Sequence, residues 1–161
     1  LDKAFPMMTR YMSYLHGKLE DGLLHHGLGD WYDLGPKHPG VSQLTPKTLT
    51  ASAIYYYDLK IISKIAKLLN KNTEVKKFEG WAEDVKKAFQ IKFYNPKTHV
   101  CSSGSQTAYA MALYTGILPK KNEEKVFKNL VDSIEKNDFN LTSGDIGYHF
   151  LVRVLIENGR S

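Results

Sequence analysis

Cysteine occurs once in this chain, at Cys101, so no internal disulfide can form and no thiolate cluster can hold a metal. One cysteine also leaves the redox compartment open. Long apolar runs are missing as well. The longest charge-free stretch, "THVCSSGSQTAYAMALYTGILP", is interrupted by Ser, Thr, Gln and Gly, which excludes a membrane span. Charge of one sign is not concentrated anywhere. The 22 Lys and Arg against 17 Asp and Glu give a formal charge of +5, yet the lysines alternate with glutamates in "KIISKIAKLLNKNTEVKKFEGWAEDVKKAF" and "PKKNEEKVFKNL". That spacing describes solvated helix faces, not the basic stripe interleaved with aromatics that a nucleic acid would meet. The low-hydrophobicity signature of disorder is absent too, with 42% of the residues apolar over 161 positions, enough for one domain with a buried core. There is no signal-peptide pattern. The chain opens on Leu1 and not Met, so it is expected to be a segment of a longer protein, whose compartment stays unknown.

What is present is helical periodicity, with no convincing strand alternation. Six helices are expected. The first covers about residues 3–16, with Phe5, Met8, Met12 and Leu15 on one face. The second starts at Thr45-Pro46, an N-cap followed by proline, and runs to about Asn70. The third, about 74–93, carries the stripe Phe78, Trp81, Val85, Ala88 or Phe89, then Phe93, and ends before Asn95-Pro96. The fourth covers about 105–115, the fifth follows Asn122 as N-cap, and the sixth covers about 145–158 with Gly159 as its left-handed cap. Helix four and the first half of helix two, "LTASAIYYY", carry no charge, whereas helices three and five are rich in Lys and Glu on one face. Uncharged helices are buried on every side, so inner helices (two, four, six) should alternate with outer ones (three, five).

The connections carry a second pattern. "NKNT" and "ILPKK" are short joins, which make their helices antiparallel neighbours. The other three connections are long and rich in Gly, Ser, Asp and aromatics. They must emerge at one end, which gathers Asp30, Trp31, Asp33, Gln106, Asp145, Tyr148 and His149 on a common rim. Layered helices with such a rim describe part of a helical toroid built from hairpins.

The segments "GLGDWYDLGP", "LTPKTLTASAIYYYDLKIISKIAKLL", "SGSQTAYAMALYTGILP" and "LTSGDIGYHFLVRVLIENGR", in this order, resemble bacterial α-L-rhamnosidases, six-hairpin glycosidases. The resemblance covers nearly the whole chain and is weakest over residues 1–20. It implies an all-α fold, an (α/α)6 toroid of which residues 1–161 would be about half. It also implies removal of terminal α-L-rhamnose with inversion, by a carboxylic acid and a carboxylate base roughly 6.5–9.5 Å apart. In the family the acid lies upstream of the matched region and the base downstream, so no catalytic residue is expected here. The chain would supply part of the substrate wall, with no cofactor and no metal-ligating residue expected in it.

Within that wall, Asp30, Trp31, Asp33, Gln106 and His149 are the candidate substrate-binding residues. Rhamnose has an apolar face and hydroxyls, which an indole beside carboxylates can match. Each candidate also has a plainer reading. Trp31 could be a core anchor, and Asp30 could hold a glycine-rich turn through backbone N–H groups. Asp33 lies where "YDLGP" departs from the family's usual, shorter continuation. Ser103 or Ser105 would cap a buried helix beside Gln106, Thr142 with Asp145 would cap the sixth helix, and His149 would be a hydrogen-bonded core residue. His25, His26 and His38 match no zinc spacing. The expected partner is a rhamnose-containing glycan or glycoside, with no nucleic acid and no membrane. The competing class is a non-catalytic helical module for carbohydrate or protein. A half toroid taken alone is expected to self-associate through the uncharged faces of its inner helices.

Overall fold

The computed structural model describes residues 1–160. Its elements in chain order are α1 (Phe5–His16), β1 (Leu19–Glu20), β2 (Leu23–Leu24), α2 (Lys47–Leu68), α3 (Asn72–Phe93), α4 (Gln106–Thr115), α5 (Glu123–Glu135) and α6 (Asp145–Glu157). A single 3-10 turn, Lys120–Asn122, precedes α5. The six expected helices are all present, so the chain is all-α.

Leu69, Asn70 and Lys71 alone separate α2 from α3, with Asn70 in the left-handed region (φ +56°) that reverses the chain. So short a join brings two 22-residue helices side by side. Phe78, Val85 and Phe89 of α3 are completely buried, each contributing about 1.5–3 kcal/mol relative to exposure. Helix α4 packs on α2, α5 and α6, and α1 packs on α2. This is the expected alternation: α3 and α5 lie outside, and α4 lies inside with eight of its ten residues buried. Ala108, Ala110 and Ala112 on α4 are fully inaccessible, and their small side chains let the neighbouring helices close on it from several directions.

Helix α6 buries Gly147, Leu151 and Val154 and exposes Ile146, Tyr148 and Ile156, apolar surface of the kind expected on the inner helices of a half toroid. Two expectations need correction. Thr45 does not cap α2, because Pro46 takes the cap position and the Thr45 hydroxyl bonds Ser105 Oγ instead, at 2.7 Å. A short antiparallel hairpin also exists, pairing Leu19 with Leu24 and Glu20 with Leu23. Its turn residues, Asp21 (φ +50°) and Gly22 (φ +74°), adopt the left-handed pair of a tight hairpin turn. The signal was present as Asp-Gly flanked by leucines. Ser52 of α2 holds the hairpin by accepting from the Leu24 amide at 3.0 Å.

Cys101 is completely buried and bridges to Tyr94 through the backbone. Burial pushes its thiol up to about 12, so almost no thiolate exists near neutrality. The native protein should therefore stay unlabelled by a thiol reagent at pH 8 and take up one equivalent after denaturation. Prompt labelling of native protein would mean that the loop after α3 opens readily.

Candidate functional site

The three long loops do meet. Ser103 Oγ donates to the Leu44 carbonyl at 2.6 Å, Leu34 N–H donates to the Thr142 carbonyl at 3.0 Å, and Asp145 N–H donates to the Trp31 carbonyl at 2.8 Å. They join at a carboxylate. Asp30, fully buried, accepts from the amides of Gly144 at 2.9 Å and Gly147 at 2.7 Å and from the hydroxyl of Thr107. Gly147 is the third residue of α6, so Asp30 takes the place of an N-cap side chain although it lies 117 residues away. The expected cap by Thr142 and Asp145 does not form, since Gly144 occupies the cap position without a side chain. Glycine is required there: a Cβ on Gly144 would fall on the Trp31 carbonyl oxygen, and one on Gly147 would fall on the Thr107 hydroxyl. At the start of α4, Ser105 is the cap, its Oγ accepting from Ala108 N–H at 3.2 Å.

Asp33 is equally buried and equally occupied, accepting from the amides of Gln43 at 2.9 Å and Leu44 at 2.7 Å. Gln106 bridges backbone, donating to the Asn140 carbonyl and accepting from Thr142 N–H, both at 2.9 Å. For these three residues the bonds present are the scaffold ones. His149 is exposed on α6, its ring beside Phe150 at 5.5 Å and Tyr114 at 6.3 Å.

Trp31 is placed differently. Its backbone is fixed at both ends, by the bonds to Gly29 and Asp145, while its side chain lines a cavity of about 520 Å³. The cavity lies between α1, α2, the loop carrying Trp31 and the first turn of α6. Leu15, Leu24 and Ile54 make its wall apolar, and two carboxylates, Asp58 and Asp145, face it. Sequence reading placed Trp31 and Asp145 on the rim, and the tyrosine run 55–57 on the wall with one hydroxyl toward the cleft, but missed Asp58. Thr50, Ala51, Ile54, Tyr55 and Asp58 lie on one side of α2 at helical spacing. Burial raises the Asp58 carboxyl above the ordinary carboxylate range and raises the Tyr55 hydroxyl too. An indole plate beside carboxylates on an apolar wall suits a ligand with one apolar face and several hydroxyl donors.

Behind the cavity wall, Tyr55 Oη meets Nδ1 of His16 at 3.0 Å, and the His16 ring stacks on Trp81 at 3.7 Å. Trp81, from the apolar stripe of the third helix, is thus half-buried under a histidine, with Lys77 over its ring at 4.4 Å.

Helical hairpins with α4 inside, α3 and α5 outside and the long loops gathered at one end define a layered, hairpin-built helical architecture. The chain belongs to the bacterial alpha-L-rhamnosidase 6 hairpin glycosidase domain family, whose sequence pattern it matches over residues 1–161. An alpha-L-rhamnosidase of Formosa agariphila is 26% identical over 160 residues, covering 99% of this chain and 17% of that protein. The solved alpha-L-rhamnosidase from Dictyoglumus thermophilum superimposes with a TM-score of 0.88 at 28% identity, over 99% of this chain and 18% of its own. The Streptomyces avermitilis alpha-L-rhamnosidase, solved as a complex with L-rhamnose, shares the fold with a TM-score of 0.86 at 24% identity, over 99% of this chain and 15% of its own. This chain spans 15–18% of the length of the curated relatives it matches.

Burial, with Lys77 nearby, lowers the His16 pKa below its ordinary 6.5. The folded state therefore favours neutral imidazole, and stability fully present above pH 6.5 is lost as pH falls below it, because the unfolded chain takes up that proton first. The melting temperature should decline below pH 6.5 less steeply in His16→Gln than in the wild type. Equal slopes in thermal melts from pH 7.5 to 5 would remove His16 from the account.

Proposed function

We propose that these residues form part of the catalytic domain of a glycoside hydrolase that removes terminal α-L-rhamnose from glycosides or polysaccharides. The observation that carries this reading is the cavity holding Trp31 opposite an apolar wall with Asp58 and Asp145, in a chain of the rhamnosidase family. The Trp31 ring takes the apolar face of the deoxysugar. Asp30, Asp33 and Gln106 act beneath it as positioning residues, holding the loop that presents the indole, and the exposed His149 is a further contact for the glycan. Asp30 matters most, because Asp30→Ala would leave two buried amides without their acceptor, while the Thr107 hydroxyl keeps Ser143 Oγ as a partner. At about 1–3 kcal/mol for each stranded group, that substitution should destabilise the domain by about 2 kcal/mol or more. Denaturant unfolding measures this, and a loss below about 1 kcal/mol would contradict a bracing role.

The mechanism proposed is inversion by two carboxyl groups contributed by other parts of the domain. An acid protonates the glycosidic oxygen as the bond to the anomeric carbon breaks. A carboxylate takes a proton from water, whose oxygen attacks the opposite face, so the sugar first released is β-L-rhamnose. The chain supplies binding and orientation, and a polypeptide of these residues alone should be inactive.

The full-length protein carrying these residues should hydrolyse an aryl α-L-rhamnoside, and proton NMR should detect the β anomer first. Trp31→Ala in that protein should lower kcat/KM about a hundredfold, while the melting temperature changes little because both backbone bonds of Trp31 persist. Folded protein that cleaves other aryl glycosides and leaves rhamnosides intact would overturn the sugar assignment.

A further inference from the structure

Asp58 is the one carboxylate of the cavity set into the middle of a helix. It sits a turn beyond Ile54 and Tyr55, on the side of α2 that also carries Thr50 and Ala51 to the cavity. No hydrogen bond or ion pair joins it to any of the described residues, whereas Asp30 and Asp33 each accept at least three. Among the described residues no fully inaccessible side-chain N or O atom lacks a partner, so the bonding capacity left open at Asp58 faces the cavity and not the core. Of the residues around the cavity, Leu15, Leu24 and Ile54 offer no donor, while Thr50 and Tyr55 bond the Lys47 carbonyl and His16 instead. An unpaired carboxylate on such a wall is destabilising to the free protein, and its raised pKa records that desolvation. A residue that weakens the fold and points into the cavity is placed there for what enters.

We infer that Asp58 is a specificity-determining sugar ligand, whose two carboxylate oxygens accept from a vicinal pair of hydroxyls on the sugar stacked on Trp31. A carboxylate presents two acceptors on neighbouring oxygens, and a vicinal diol presents two donors at matching separation. Two charge-assisted bonds to one carboxylate discriminate strongly, because a sugar lacking one hydroxyl leaves an acceptor unpaired. The inference rests on the proposed sugar-binding reading of the cavity.

The test uses the full-length protein with Asp58→Asn and, in parallel, Trp31→Ala. The substrates are an aryl α-L-rhamnoside and its 3-deoxy analogue, which lacks the hydroxyl common to both vicinal pairs. Asp58→Asn should raise KM for the rhamnoside about ten- to hundredfold with kcat within about threefold, and change the 3-deoxy analogue much less. The carboxamide is cheaper to bury than a carboxylate, so the melting temperature of Asp58→Asn should equal or exceed that of the wild type. A KM within twofold of wild type, equal effects on both substrates, or a lowered melting temperature would each overturn the inference. If Trp31→Ala raises KM and Asp58→Asn does not, Asp58 alone is excluded. If neither changes KM, the cavity is not the sugar site.

Discussion

The Asp30 carboxylate is the point on which the rim depends. A helix N-terminus leaves its first amides without partners, and the first turn of α6 carries glycine where a capping side chain would stand. Those amides find their acceptor on a loop between α1 and α2, and the same carboxylate binds Thr107 in the first turn of α4. One side chain therefore ties three connections that the helices by themselves would only bring near one another. Because the group is buried, this arrangement is highly specific: the loop has one position in which every donor is satisfied.

Carboxylates thus serve two purposes within one region. Asp30 and Asp33 are saturated by backbone amides and hydroxyls and stiffen the frame. Asp58 is left unsaturated on an apolar wall. The pair of states matches what a binding site requires, a rigid support and a polar group held ready, and it explains why the aromatic plate rides on the most heavily braced loop.

Much of the architecture was legible in the chain. The absence of charge from "SQTAYAMALYTG" marked α4 as an inner helix, and the short joins marked α2–α3 and α4–α5 as hairpins. The all-α fold and the family followed from four ordered motifs. Other features depended on distance. Nothing local says that Asp30 accepts from Gly144, since the two are 114 residues apart, and Gly-Asp-Trp reads equally as a sugar site or a turn. Asp58 was passed over because a lone aspartate before "LKIISK" resembles the start of a solvated face. Its signal was its position, the first charge after an uncharged half-helix that includes the cavity side of α2. Helix α6 carries apolar residues around the helix, yet only α4 has a broad interface with it among the described residues.

The cap that α6 receives from Asp30 also has a consequence for synthesis. The acceptor is made 114 residues before the first amide it serves. At roughly 5–20 residues per second, the loop leaves the ribosome about 6–23 s ahead of its partner. Until then its buried carboxylate has water in place of protein donors, and the indole beside it has no fixed seat. The loop that presents the indole is thus translated well before the partners that let it take its final shape.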